Sequence, residues 1–262
     1  MKKWITCIIM AVMMAAMIFM GTGNNVFADD EVTYDSNMQT KKFDVNVKVG
    51  KDGSYTVTEN IKVKFVNPRH GIYRYIPYKG NVVTIDKNGG QKKLLYYADF
   101  DLLKNDSNTD LQEDSDGNSE VLQFGSEDYT VNEGNYKFTY QLTPQYQGDT
   151  FDYLYYNIFP TLWRNNIPKG STFTIHFPKK TDLKSVNFFY GRYGESKNAK
   201  DVLTLKYDEK NAQITGTLKK SLPFKNGLTC YSDLGDGYFT ERNEIGAGGF
   251  IFVVTIGILL II

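Results

Sequence analysis

Two charged residues stand where their neighbours call for apolar side chains. Glu59 alternates with Val57 and Ile61, and Arg74 sits at the centre of Ile72-Tyr73-Arg74-Tyr75-Ile76. Residues two apart in a strand share a face, so the carboxylate of Glu59 is carried toward the interior with its apolar companions. A lone buried charge is costly, and needs an opposite ion, a set of donors, or neutralisation by a proton. Glu59 and Arg74 are therefore expected to meet as a structural ion pair, because a guanidinium matches a carboxylate through two parallel hydrogen bonds. Two other arrangements stay open: a ligand or proton site built on the carboxylate, and a bulge that turns Glu59 outward.

Other residue groups suggest chemistry and lack part of what it requires. Asp114, Asp116 and Gly117 resemble the middle of a calcium-binding loop, but Gln112 and Gln123 would occupy the first and closing ligand positions. An irregular site built from Asp106, Asp110, Asp114 and Asp116 is the alternative to a solvated loop, and no metal or cofactor is expected. The aromatic stretch Tyr153, Tyr155, Tyr156, Phe159 and Trp163, with Phe188, Phe189, Tyr190 and Tyr193, suits either core packing or a surface on which sugars or a membrane could rest. Tyr156, Trp163, Tyr190 and Tyr193 are the candidates for such a surface. His70 and His176 are the two histidines, and neither belongs to a known catalytic motif. Phosphate loops, nucleophile elbows and zinc-protease motifs are all absent from the sequence. A catalytic Cys230 would need one of those histidines as its base. No catalytic residue is assigned.

The elements that must position these side chains are strands. Phe43, Val45, Val47 and Val49 alternate with Asp44, Asn46 and Lys48, and Lys51-Asp52-Gly53-Ser54 follows as a hairpin turn. Asp-Gly tolerates the positive φ that such turns need. The returning strand places Tyr55, Val57, Glu59, Ile61, Val63 and Phe65 on one face. Further strands are expected over residues 82–86, 93–99, 121–124, 136–142, 172–177, 202–207 and 214–218. Residues 105–119 are polar and acidic, and read as an exposed loop. Many short strands with almost no helical period predict an all-β fold, an antiparallel β-sandwich that is Ig-like in general architecture.

The two ends of the chain are apolar. Lys2 and Lys3 precede an apolar run, and Val26-Phe27-Ala28 fits a cleavage site before Asp29, so residues 1–28 read as a signal peptide. At the far end, residues 246–262 carry no charge, and at about 1.5 Å per residue they span roughly 25 Å. Residues 245–262 are expected to form a transmembrane helix, and 29–244 the extracytoplasmic domain between. No Lys/Arg cluster follows the run, so a longer protein is expected to continue beyond it. Leu222-Pro223-Phe224-Lys225-Asn226-Gly227 lacks the Thr-Gly of a wall-sorting signal, and that reading is rejected. Thirty basic residues balance thirty acidic ones, and without Lys2 and Lys3 the net charge is −2. That balance argues against nucleic acid as a partner. Only Cys230 survives cleavage, which excludes an intrachain disulfide and leaves stability to the core.

An ordered set of local patterns runs through the domain. Gly53-Ser54-Tyr55-Thr56-Val57-Thr58-Glu59 leads to Gly71-Ile72-Tyr73-Arg74-Tyr75-Ile76-Pro77. Leu122-Gln123-Phe124-Gly125-Ser126, Gly134-Asn135-Tyr136 and Tyr155-Tyr156-Asn157 come next. Trp163, Ile167, Ile175-His176-Phe177-Pro178, Leu222-Pro223, Gly227-Leu228-Thr229 and Gly237-Tyr238-Phe239 complete the order. Together they resemble the extracytoplasmic part of the predicted bacterial membrane proteins grouped as the domain-of-unknown-function family numbered 2207. Tyr156 departs from that family, which favours Trp before the Asn. The resemblance implies a signal peptide, a β-sandwich outside the membrane, and one or more spans, with no activity or catalytic residues to transfer. The expected role is a membrane-anchored interaction or sensor domain without catalysis. Its expected partners are the cytoplasmic membrane and a cell-wall or membrane-protein component. Binding of wall glycan or peptide through exposed aromatics is the first alternative. A glycoside hydrolase with two carboxyls about 5–9.5 Å apart is the second.

Overall fold

The computed structural model describes residues 33–85, 91–145 and 152–242. The expected signal peptide and transmembrane helix lie outside these residues. Among the described residues no helix is long and apolar enough to cross a membrane. The chain is all-β. In chain order the strands are β1 (Met38–Val49), β2 (Tyr55–Arg69), β3 (Gly71–Pro77), β4 (Lys79–Ile85), β5 (Gln91–Asn105), β6 (Leu111–Ser115), β7 (Ser119–Gly125) and β8 (Val131–Pro144). Then come β9 (Asp152–Phe159), β10 (Thr172–His176), β11 (Asn187–Gly191), β12 (Lys197–Asn198), β13 (Leu203–Asp208), β14 (Gln213–Leu218) and β15 (Gly227–Gly235). They build an eight-stranded sheet in the order β13-β14-β10-β1-β2-β8-β5-β4, a four-stranded sheet β12-β11-β15-β9 and a three-stranded sheet β3-β7-β6.

The β1–β2 hairpin shows why these residues make these elements. Gly53 takes φ 84° in the turn, and Asp52 Oδ1 accepts from the backbone N–H of Ser54 at 3.0 Å. Val49 then faces Tyr55, and the register runs back without a shift to Phe43 opposite Ile61. Every apolar side chain of that face is buried, Phe43, Val47, Val57 and Ile61 completely. Full burial of each such side chain contributes roughly 1.5–3 kcal/mol. The opposite face carries Lys48, Lys62 and Lys64 in solvent.

Aromatic side chains join the smaller sheets to this buried face. Phe43 of β1 meets Phe159 of β9 edge-on at 5.7 Å, and Phe173 of β10 meets Phe188 of β11 at 5.4 Å. Phe124 of β7 lies 4.8 Å from Phe138 of β8. One pairing departs from the antiparallel expectation: β10 runs parallel to β1, with Val45 opposite Phe173. A parallel neighbour cannot arrive through a hairpin, and β10 enters only after the chain has built the strands up to β9. Residues 105–119 are a second departure. They include β6, which pairs with β7 from Leu111 opposite Phe124 to Ser115 opposite Glu120.

Candidate functional site

Glu59 and Arg74 lie together inside the chain, brought there by different sheets. Glu59 points inward from the middle of β2 and is 0% exposed, and Arg74 of β3 is 3% exposed. Arg74 Nε donates to Glu59 Oε2 at 2.8 Å and Nη2 to Oε1 at 2.7 Å. The remaining fork nitrogen, Nη1, donates to the carbonyl of Tyr75. Tyr140 of β8 supplies a third donor to the carboxylate, its hydroxyl lying 2.8 Å from Oε1. Tyr156 of β9 stands 2.8 Å from the Tyr140 hydroxyl. A phenol has one proton. Tyr140 gives its own to Glu59, so Tyr156 must donate to Tyr140. The chain of donation runs from Tyr156 to Tyr140 to Glu59, with Arg74 closing the other side.

This cluster takes one member or more from every sheet. Burial alone would lower the basicity of Arg74, but the charge and hydrogen bonds of Glu59 outweigh it and hold the guanidinium above its ordinary value. Burial, then the negative charge of Glu59, raises Tyr140 well above the usual phenol range. Tyr156 is raised for the same two reasons. Both phenols therefore remain proton donors at physiological pH. Phe100 stacks on Tyr140 at 5.6 Å, and Tyr55 packs on Tyr156 at 5.5 Å. The arrangement can hold one negative charge and one positive charge in fixed positions.

The proposed aromatic surface needs correction. Tyr156 and Trp163 are 5% and 3% exposed and belong to the interior. Tyr156 completes the polar chain just described, and Trp163 Nε1 donates to Thr40 Oγ1 at 2.8 Å while its ring meets Phe43 at 5.3 Å. Tyr190 is half-buried on β11, and Tyr193 is 53% exposed beyond it. The outward face of the four-stranded sheet instead carries Tyr155, Asn157, Thr229 and Phe189, with Tyr155 opposite Tyr231 and Asn157 opposite Thr229. A step of one residue along a strand reverses its face, so Tyr156, opposite the buried Cys230, points inward while Tyr155 beside it points outward.

The acidic segment satisfies its own backbone. Asp116 Oδ1 accepts from the backbone N–H of Asn118 at 2.9 Å and of Ser119 at 2.6 Å, and Asp106 pairs with Lys104 at 2.7 Å. Among the described residues no group of three or more His, Cys, Asp or Glu is placed to hold a metal ion. His70 is exposed, its Nδ1 lying 2.8 Å from the Ser126 carbonyl. His176 lies on the solvent side of β10, 3.3 Å from Asn46 Nδ2. A buried polar tie that the sequence did not suggest is Asn165. Its Nδ2 donates to the Met38 carbonyl at 2.6 Å, and its Oδ1 accepts from the Thr40 hydroxyl at 3.2 Å. A small cavity of about 10 Å³ lies beside it, lined by residues that include Asp35, Arg69, Trp163 and Arg164. That is room for about one water.

Residues 39–220 match the family described as predicted membrane protein (DUF2207), N-terminal domain. No curated protein sequence matches the chain. Among solved structures, an M1 zinc metallopeptidase from Deinococcus radiodurans is 12% identical, with 76% of this chain and 43% of that one covered and a TM-score of 0.39. Native leukotriene A4 hydrolase from Saccharomyces cerevisiae is 11% identical, with 74% and 29% covered and a TM-score of 0.35. The chain thus spans less than half the length of either enzyme, and likeness at this level carries no inference about activity.

Proposed function

The chain belongs to the DUF2207 family of predicted membrane proteins, and on that premise we propose that it is an interaction or sensor domain held outside the cytoplasmic membrane, without catalysis of its own. In this reading residues 1–28 are a cleaved signal peptide, 29–244 an Ig-like β-sandwich and 245–262 a transmembrane helix. The observation that carries it is the closed polar cluster. Glu59 receives all three of its donors from within the chain, and those donors tie β2, β3, β8 and β9 into one body. A rigid body with its charges matched inside suits presentation of a surface better than turnover of a substrate. Topology reporters inserted at Asn118, in the exposed turn between β6 and β7, test the placement. An exported phosphatase is expected to be active there, and a reporter active only in the cytosol would overturn the reading.

Binding of wall glycan or peptide is the second reading. It is favoured by the outward face of the four-stranded sheet, where the exposed hydrogen bond from Thr229 to Asn157 lies beside the half-buried Tyr155 and Phe189, Tyr155 packing in turn on Tyr96 of β5 at 6.3 Å. Sedimentation with purified cell wall tests it: the intact protein should pellet, and Tyr155→Ala should release it.

A further inference from the structure

Two of the sheets end on strands whose outer edge faces no other strand among the described residues: β13 ends the large sheet, and β6 ends the three-stranded one. Opposed residues of an antiparallel pair alternate between those that exchange backbone hydrogen bonds and those that do not. Lys219 N donates to the Val202 carbonyl at 2.8 Å, one step ahead of Leu203 opposite Leu218. Thr204, Lys206 and Asp208 therefore bond to β14, whereas Leu203, Leu205 and Tyr207 turn their N–H and C=O groups away from it. In β6 the same alternation is fixed at both ends. Gly125 N donates to the Asp110 carbonyl at 2.9 Å, and Asp116 N to the Ser119 carbonyl at 3.2 Å. Leu111, Glu113 and Ser115 thus direct their backbone groups outward, and of these the Ser115 N–H is taken by Asp114 Oδ1 at 2.8 Å. Rows of such groups are templates for a further strand.

The two edges carry opposite charge. Between Asp99 and Glu133 eleven acidic residues accompany a single basic one, Lys104. That stretch forms the end of β5, all of β6 and β7, and the start of β8. Between Arg164 and Lys225 thirteen basic residues accompany five acidic ones. The strands there include β10, β14 and β13, at the other end of the large sheet from β8 and β5. On β6, Glu113 and Asp114 are exposed, and Glu120 of β7 lies beside them. Burial, then those two negative neighbours, raises the Glu120 carboxyl above its ordinary value. Among the described residues none of the three pairs with a Lys or Arg, and Lys206, exposed on β13, pairs with no carboxylate. Charge on an edge strand keeps it from adding to a copy of itself. β6 against β6 would oppose carboxylates. β13 against β13 gains no new ion pair, since Asp208 is held by Asn211 of its own turn at 2.6 Å. β6 against β13 is the pairing that charge favours.

We propose that the β6 edge of one copy of this chain adds to the β13 edge of another, antiparallel, with Asp114 opposite Lys206. In that register Glu113 and Ser115 face Tyr207 and Leu205, the residues whose backbone groups point outward on each side. The two surfaces differ, so each copy keeps one of either kind free and the contact repeats head to tail instead of closing at two. A junction of two short strands lies at the small end of protein contacts, and its charges make it sensitive to salt. The proposal goes beyond the anchored reading and does not depend on it. Sedimentation of the full chain in detergent tests it, with Glu113→Lys plus Asp114→Lys as one variant and Lys206→Glu as another. The parent should form oligomers that grow past the dimer with concentration and dissociate as salt rises from about 50 mM to about 500 mM. Each variant alone should lose that association, because its two edges then carry like charge. Mixed in equal amounts, the variants should associate again, since each supplies the edge that the other needs. All the substituted side chains are exposed, and melting midpoints equal to the parent's are the control. Asp114→Lys alone replaces the double variant if that one melts early. A parent that stays monomeric or stops at a closed dimer would overturn the proposal. So would variants that associate as well as the parent, or a mixture of folded variants that does not recover.

Discussion

At the scale of single residues, the buried charges of Glu59 and Arg74 form one joint with the phenols of Tyr140 and Tyr156. Removing one member of a buried ion pair strands the other, which costs more than the pair contributes. Glu59→Gln is therefore expected to lower the unfolding free energy by about 3 kcal/mol, seen as an earlier midpoint in urea. Glu59→Leu combined with Arg74→Met removes both charges and should recover most of that loss. Recovery by the double variant is the outcome that separates a structural pair from a ligand site, and an unchanged midpoint for Glu59→Gln would count against the pair. Tyr156→Phe deletes only the outermost donor, leaving Tyr140 with its bond to Glu59, and should cost about 1 kcal/mol. His176 provides the acid-side signal. Partial burial and then the ammonium of Lys48 lower its pKa. The native chain thus binds that proton less readily than the unfolded chain, where histidine titrates near about 6.5. Stability from this group is present above that region and lost as the pH falls through it. His176→Gln should flatten that part of a melting-versus-pH curve.

At the scale of elements, legibility followed the environment of each strand's two faces. β1, β2 and β8 have one wet and one buried face, and their alternation is legible directly, along with the turn of the hairpin. In β9 and β15 nearly every residue is buried or half-buried, so their residues alternate in neither charge nor polarity, and no strand is expected there from the sequence. β6 fails for the opposite reason: Leu111 is half-buried and the rest of the strand is exposed, which leaves an apolar period nowhere to appear. β3 and β7 depend on a close backbone approach at their shared end. Gly125 has φ 137°, and a Cβ on it would lie 2.0 Å from the His70 carbonyl oxygen. Gly125→Ala should therefore cost about 2 kcal/mol or more and loosen β3, on which Arg74 depends. Hydrogen exchange along β3 and β7 would show it, and protection equal to that of the parent chain would refute it.

At the scale of the whole molecule, Cys230 reports on the closure of the body. It is fully buried on β15, its Sγ 3.5 Å from the Tyr156 carbonyl, and burial raises the thiol to about 12. Thiolate is the reactive form, so at pH 8 the Cys7→Ser protein should react with a thiol reagent only when the body opens. The labelling rate should follow the unfolding equilibrium as urea is added, several orders of magnitude below that of the denatured chain. Fast labelling without denaturant would mean that the four-stranded sheet separates from the large one under native conditions.

The sequence alone determined the strand character of the chain, the buried face of the first hairpin and the need of Glu59 and Arg74 for partners. Each of these is a local consequence of side-chain period or of the cost of burying a charge. Tertiary structure decided what lies far apart in the chain and close in space: the donation of Tyr156 through Tyr140 to Glu59, and the tie from Asn165 to the start of β1. It also decided the parallel entry of β10 and the face on which each aromatic ring falls. A strand's period says which residues share a side. Only the packing of one sheet on another says which side is inside.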